Sequence, residues 1–252
     1  MVSNASDVII KQPYQKLLNG NAKYWVIFAL LHIAIFIILI LFISASVYKR
    51  KITKNKIRTG QEAEEKAKKL LMKFANENNF TLLNGIFSVI NDKNHDIQFE
   101  VDGILVTNSS IIVIEVKSKP LVIKSSHSKD YLYVYDKNSR NKEKNKFINP
   151  TIQNDKHISH LRNILSKDIP IYSVIFFPNA SDVQVDSPNL ETIFLSSVNL
   201  MKELANFLNS KTSDKAFSNQ EKQSIISIIK NAQANDEAKY KFYNIIGKYD
   251  RI

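Results

Sequence analysis

The sequence predicts a mixed α/β domain preceded by one N-terminal transmembrane helix. Two observations lead to this fold class: an uncharged apolar run at residues 25–47, and an alternation of helix and strand patterns after residue 60. The chain has 252 residues, of which 44% are hydrophobic. This is enough for one membrane segment and one domain with its own core.

The apolar run reads WVIFALLHIAIFIILILFISASV and carries no formal charge over its 23 residues. A helix of roughly 20 residues crosses the ~30 Å hydrocarbon core of a bilayer. Tyr24, Trp25 and Tyr48 lie at the two ends, where amphipathic aromatic residues favour the interface. The run is too long and starts too late for a typical signal peptide. We therefore expect a short segment 1–23 and a transmembrane helix at 24–48, in which His32 is neutral and structural.

Basic residues flank this helix unevenly. Three lysines precede it, and six basic residues follow it: Lys49, Arg50, Lys51, Lys54, Lys56 and Arg58. The positive-inside rule places the C-terminal side in the cytoplasm, which predicts a single-pass protein of the cell membrane. The basic segment 49–59, interpreted as a juxtamembrane linker, can also rest on anionic lipid. Because it holds much of the net charge of +11, the global charge is poor evidence for nucleic-acid binding.

After the linker, Gly60 is predicted to open a helix that ends near residues 76–79. Strands are expected at 81–90, 97–106 (broken by Gly103), 111–117, 121–124 and 131–135. A charged loop at 137–147 precedes a helix at 150–165, a buried strand at 171–177 and a short strand at 192–195. Helices are expected at 197–208 and 221–229. The domain is assigned to 60–180, with a mainly helical extension at 181–252.

Several classes of protein are excluded by what the sequence lacks. It has no cysteine, so disulfides, thiolate zinc sites and cysteine nucleophiles are absent. Its five glycines form no phosphate-binding loop, and no G-x-S-x-G motif indicates a serine hydrolase.

Three charged residues carry the candidate chemistry. Asp102 lies in one predicted strand, and Glu115 and Lys117 lie in the next, separated by one residue. Alternate strand residues share a face, so Glu115 and Lys117 project together, and a hairpin can bring Asp102 opposite Glu115. Two carboxylates suit Mg²⁺ or Mn²⁺, and a lysine suits a developing negative charge. An ordinary salt bridge between Glu115 and Lys117 is the competing interpretation, and on spacing alone it is the better one.

Four separate motifs resemble those of the nuclease-related domain, NERD, a branch of the PD-(D/E)xK nuclease-like superfamily. They are GQEAE at 60–64, VDG at 101–103, IEVK at 114–117 and NPTIQ at 149–153. The resemblance covers about residues 60–178 and implies a restriction-endonuclease-like core, a mixed central sheet flanked by helices. Ala63, Glu100 and Gly103 depart from the family pattern without removing a site position.

The resemblance implies a role for each matching residue. Asp102 and Glu115 would bind Mg²⁺ or Mn²⁺, and Lys117 would position water or offset charge. Glu64 would be a further ligand or orient water, and Gln153 would approach the site, although a purely structural amide fits Gln153 equally well. His157 and His160 are interpreted as partly exposed helix residues, because their i, i+3 spacing is weak as a zinc site.

These observations lead to a membrane-anchored, metal-dependent nuclease, with DNA as the favoured substrate. The alternative is a non-catalytic module that binds nucleic acid or protein and acts as a membrane-tethered sensor or scaffold. A third possibility is the processing of incoming or mobile DNA at the membrane. The basic loop 137–147 fits a phosphate-backbone contact and a solvated loop equally well.

Overall fold

The computed structural model describes residues 6–90, 95–125, 130–135, 146–186, 189–211 and 215–245, with side chains from residue 24 onward except at position 56. The chain divides into two compact units, Met1–Arg58 and Thr59–Ile252. Most of the predicted charged loop at 137–147 lies outside the described residues, so its structure remains a prediction.

A single helix, α1 (Ser6–Glu77), supplies the described part of the first unit. Within it lies an 18-residue window with a mean hydropathy of 3.3, so the helix is long and apolar enough to cross a membrane. Its large apolar side chains from Tyr24 to Tyr48 are exposed. The Nδ1 atom of His32 donates to the Phe28 carbonyl at 2.8 Å, which gives this polar side chain a partner within the helix.

The predicted start of a helix at Gly60 is wrong, because α1 continues through residues 49–59 without a break. The segment contains no proline, and a glycine inside a helix costs only about 1 kcal/mol relative to alanine. A Cβ atom at Gly60 would meet nothing within 4 Å, so no close approach requires glycine there. The basic linker is therefore helical.

The second unit contains the last part of α1, nine strands and four further helices among the residues that the structure describes. The strands are β1 (Thr81–Ile90), β2 (Asp96–Val106), β3 (Ile111–Val116), β4 (Leu121–Ser125), β5 (Tyr131–Tyr135), β6 (Lys146–Ile148), β7 (Ile171–Phe177), β8 (Ala180–Gln184) and β9 (Thr192–Ser196). The helices are α2 (Thr151–Leu161), α3 (Leu200–Asn209), α4 (Asn219–Asn231) and α5 (Asp236–Ile245).

The strands form two sheets. The five-stranded sheet has the order β1-β2-β3-β7-β9, with antiparallel pairing from β1 to β3 and parallel pairing from β3 to β9. The four-stranded sheet has the order β6-β5-β4-β8. The mixed α/β fold predicted from the sequence is therefore confirmed.

Strand β3 lies at the centre of the larger sheet, and all six of its residues are buried. On one face, Ile111 and Val113 pack with Leu161 of α2 and Ile225 of α4. On the other face, the even-numbered residues of β3 pack with Leu71 of α1 and with α3. Burial on both faces explains why the sequence of β3 is almost continuously apolar.

The remaining differences from the predictions have local causes. Helix α2 ends at Leu161 rather than at 165. After Leu161, the Arg162 guanidinium donates to the carbonyls of Ser166 at 3.0 Å and Ile169 at 2.7 Å, and these bonds hold the chain in a turn. Strands β6 and β8 were not predicted, because both are short and only partly apolar. The extension after residue 180 contains β8 and β9 as well as helices, and β9 completes the larger sheet.

Candidate active site

A β-bulge in β2 gives the site its geometry. In the pairing of β1 with β2, Leu83 faces Ile104 and Gly85 faces Val101, so Asn84 alone opposes the two residues Asp102 and Gly103. The extra residue reverses which side of the sheet the following side chains face. Phe99 and Val101 before the bulge, and Ile104 after it, therefore all join the core on the α2 side.

The pairing of β2 with β3 ends beside this bulge. Its last pair is Gly103 with Ile114, so Asp102 and Glu115 are the next residues along the two strands. The N–H of Val116 points away from β7, because the neighbouring N–H of Lys117 donates to Phe176 of β7. With no strand residue left to accept it, the Val116 N–H donates to Oδ2 of Asp102 at 2.7 Å. The Asp102 carboxylate thus replaces a missing backbone partner.

Asp102 lines a cavity of about 280 Å³ on the α1 side of the sheet. Glu64 from α1 and Glu100 from β2 line the same cavity. Burial raises the pKa of Asp102 to about 7, and the charges of Glu115 and Glu64 add to this increase. The hydrogen bond from Val116 and the charge of Lys117 oppose it. The structure therefore groups Glu64, Glu100 and Asp102 into one acidic cavity.

Glu115 and Lys117 form an ion pair on the α2 side of β3. The Lys117 Nζ lies 2.5 Å from Oε1 of Glu115, as the alternation of strand side chains predicted. The Glu115 side chain is 2% exposed and that of Lys117 is 29% exposed. A carboxylate buried to this degree needs a charged or hydrogen-bonded partner, and Lys117 supplies it.

Two residues of α2 close a ring around this pair. The Lys117 Nζ donates to Oε1 of Gln153 at 2.9 Å, and Nε2 of Gln153 lies 3.4 Å from Nε2 of His157. The same His157 nitrogen lies 3.5 Å from Oε2 of Glu115. Because Lys117 can only donate, it fixes the orientation of the Gln153 amide. Gln153 thus contacts the site lysine directly.

Helix α2 is held in place by Asn154, which is completely buried. Its amide nitrogen donates to the Val113 carbonyl of β3 at 2.9 Å and to Oγ of Ser173 of β7 at 2.8 Å. These two bonds fasten the first turn of α2 across the two central strands. Gln153 and His157, on either side of Asn154 in the sequence, are positioned by this anchor.

The expectation that His157 is partly exposed is wrong, since only 7% of the residue is exposed. The His157 ring stacks on the Phe99 ring, with their centroids 5.8 Å apart. The centroid of the Phe99 ring also lies 5.0 Å from that of His160. His160 is half-buried, and burial lowers the pKa of its imidazole. The sequence signal that could have identified His157 as a neighbour of the site is its i+4 spacing from Gln153, which places both residues on one face of the helix.

The donor chemistry of the site fits a hard divalent cation, because its carboxylates are the oxygen ligands that Mg²⁺ and Mn²⁺ prefer. Mg²⁺ is commonly bound through one or two carboxylates, with water and substrate phosphate completing its coordination. Asp102 and Glu115 follow the last residue pair of β2 and β3, but Asp102 lines the cavity on the α1 side of the sheet, whereas Glu115 pairs with Lys117 on the α2 side. The charge of Glu115 nevertheless raises the pKa of Asp102, so the two carboxylates interact. Within the described parts of the chain, no group of three His, Asp or Glu side chains is arranged to hold a metal ion.

A mixed α/β fold with two carboxylates and a lysine where its central hairpin ends has the features of a nuclease-like domain. Residues 59–178 match the family model of the nuclease-related domain, NERD, so the chain carries a nuclease-related domain over these residues. No curated protein and no solved structure matches the chain. The family assignment therefore comes from the domain model, and it agrees with the four motifs found in the sequence.

Proposed function

We propose that this protein hydrolyses phosphodiester bonds of nucleic acid, with DNA as the favoured substrate, in a reaction that depends on Mg²⁺ or Mn²⁺. The observation that supports the proposal is the charge cluster of Asp102, Glu115 and Lys117 where β2 and β3 separate. The match to the nuclease-related domain supports it independently.

In this proposal Asp102 and Glu115 hold the metal ion, and Glu64 contributes from the lining of the cavity that it shares with Asp102. A bound divalent ion polarises a phosphoryl oxygen and lowers the pKa of water. Lys117 lies at the surface end of the buried Glu115, where its ammonium group can stabilise negative charge that develops on the phosphate. Gln153 accepts a hydrogen bond from Lys117 and so limits the orientations of its side chain.

The test uses the full chain in detergent micelles, with single- and double-stranded DNA and RNA as substrates and with Mg²⁺, Mn²⁺ or EDTA. We expect metal-dependent cleavage that Glu115→Gln and Asp102→Asn each reduce by more than about 100-fold, which exceeds the loss typical of residues that only support a ligand. Glu237→Gln, on the exposed surface of α5, is the matched control and should cleave like the wild type.

A second candidate function is a non-catalytic binding module on the same fold. The contact that favours it is the short ion pair of Lys117 with Glu115, because this pair already occupies one of the two carboxylate oxygens with which Glu115 would bind a metal ion. A folded chain that cleaves none of the four substrates with either metal would establish this alternative. A chain that cleaves equally well after both carboxylate substitutions would refute the proposed site.

We further propose that the apolar helix anchors the protein in the cell membrane with residues 59–252 in the cytoplasm. Its length, its hydropathy and the excess of basic residues after it support this topology. The absence of native cysteine allows single-cysteine labelling with a membrane-impermeant maleimide. In intact cells we expect Ser3→Cys to react and Ser159→Cys to react only after permeabilisation. The reverse pattern would invert the topology.

A further inference from the structure

The outer face of the four-stranded sheet combines aromatic rings with lysines. Leu132 and Val134 of β5 face the core of this sheet, so the alternate residues Tyr131, Tyr133 and Tyr135 face away from it. Tyr131 is 37% exposed, and the other two tyrosines are half-buried. Along β5 these rings follow one another at about 6.8 Å, the spacing of alternate residues in an antiparallel strand.

The strand register surrounds these rings with positive charge. Tyr133 pairs with Lys124 of β4 on one side and with Lys146 of β6 on the other. The Lys124 ammonium lies 4.5 Å from the ring centroid of Tyr135, and the Lys146 ammonium lies 5.1 Å from that of Tyr131. Each outer ring therefore has a cation beside it.

The only acidic group that the described strands place on this outer face is Asp182 of β8, which pairs with Val122. Its carboxylate already accepts hydrogen bonds from the Val183 N–H at 2.8 Å and from Gln184 at 2.6 Å. Ile148 of β6, which is 65% exposed, adds apolar surface beside Tyr131. The outer face thus combines aromatic surface, on which bases can stack, with lysine side chains, and the Asp182 carboxylate lies at its β8 edge.

We infer that this face, formed by Tyr131, Tyr133, Tyr135, Lys124 and Lys146, binds single-stranded nucleic acid. Bases stack on aromatic rings whatever their sequence, and lysines beside the rings neutralise the phosphates that link the bases. Four-stranded sheets with exposed aromatic residues bind single strands in this way. In a duplex the base faces are stacked on one another and are not accessible to the tyrosines.

This inference rests on the proposed function for its meaning, because it names the form of nucleic acid that the nuclease-like domain would receive. It does not depend on catalysis. The face is formed by β4, β5 and β6, whereas the charge cluster lies at the ends of β2 and β3. Binding measured without metal therefore tests the face independently of cleavage, and the loss of cleavage in Glu115→Gln tests the charge cluster while the face is unchanged.

The experiment measures fluorescence anisotropy of a labelled 20-nucleotide oligothymidylate and of a 20-base-pair duplex, with the full chain in detergent and EDTA. The wild type is expected to bind the single strand more tightly than the duplex. Tyr133→Ala should weaken single-strand binding at least about fivefold, as expected for the loss of one stacked base, and Tyr133→Phe should bind like the wild type. Tyr240→Ala, an exposed tyrosine of α5, is the matched control.

Salt dependence separates the role of the lysines from that of the rings. Lys124→Gln should reduce the slope of log Kd against log salt concentration by about 0.7, the value for one phosphate contact on a single strand. Tyr133→Ala should leave that slope unchanged. Tyr131→Ala, at the most exposed of the three rings, repeats the stacking test if Tyr133→Ala disturbs the near-ultraviolet circular dichroism. Equal affinity of the Tyr131→Ala and Tyr240→Ala variants, or equal binding of duplex and single strand, would overturn the inference.

Discussion

Replacement of Asp102 by asparagine should make the metal-free protein more stable at pH 8. Asparagine has nearly the same shape, and its side-chain oxygen can still accept the hydrogen bond from Val116. It removes a half-buried negative charge that lies close to the charges of Glu115 and Glu64. The carboxylate that we propose as a metal ligand is thus expected to destabilise the folded protein when no metal is bound.

The magnitude follows from the pKa of Asp102, which is about 7 in the folded chain and 3.8 as its ordinary value. Below both values each state binds the proton, and the stability does not depend on this group. Between them the folded state retains a proton that the unfolded state has lost, so a rise in pH lowers the unfolding free energy by about 1.4 kcal/mol per pH unit. Above pH 7 the full penalty is about 4 kcal/mol.

The assay is urea unfolding of the full chain in detergent and EDTA, followed by near-ultraviolet circular dichroism. Asp102→Asn should exceed the wild type in stability by up to about 4 kcal/mol at pH 8, and the difference should shrink steadily as the pH falls from 7 towards 4. Mg²⁺ should stabilise the wild type more than the variant. Asp236→Asn, at a fully exposed side chain, is the control. A variant no more stable than the wild type at pH 8, or a difference that does not change with pH, would refute the reasoning.

Three further substitutions test the framework around the site. Lys117→Met leaves the buried Glu115 without its close cation and should lower the unfolding free energy by about 2–3 kcal/mol, a value reduced because Lys117 is partly exposed. The double variant Lys117→Met with Glu115→Gln should regain most of this stability in the same urea assay. Asn154→Ala removes two buried hydrogen bonds and should cost about 2–4 kcal/mol, and an Asn154→Asp variant of wild-type stability would contradict this role of the amide. Ser218→Ala breaks the capping box with Glu221 at the start of α4 and should cost about 1 kcal/mol in thermal unfolding, with no change in cleavage.

Periodicity predicted the strands whose apolar pattern is clear at both ends. Strands β1, β5 and β7 were predicted to the residue, because apolar alternation or a continuous apolar run marks both of their ends. Strand β8, ASDVQ, was missed because only Val183 and Ala180 pack inward. The start of the helix that leads into the second unit was also predicted wrongly, since no residue in 49–59 interrupts α1.

Strand alternation predicted one contact of the candidate site, but not the rest of its arrangement. The Glu115–Lys117 pair follows from strand alternation, and the structure has it. The position of Asp102 depends on the bulge opposite Asn84, and a bulge is determined by pairing between strands rather than by the local sequence. The burial of His157 depends on how α2 packs against Phe99, which periodicity in the helix alone does not specify.

The bond from the Val116 amide to the Asp102 carboxylate also gives this protein a spectroscopic reporter. An amide proton bound to a carboxylate changes its resonance frequency when that carboxylate gains or loses a proton. The resonance of the Val116 amide should therefore report the charge state of the Asp102 carboxylate in the neighbouring strand. Because β3 is buried on both faces, its amide protons should exchange slowly with solvent. Binding of a cation could be followed on the same peak, without a substrate.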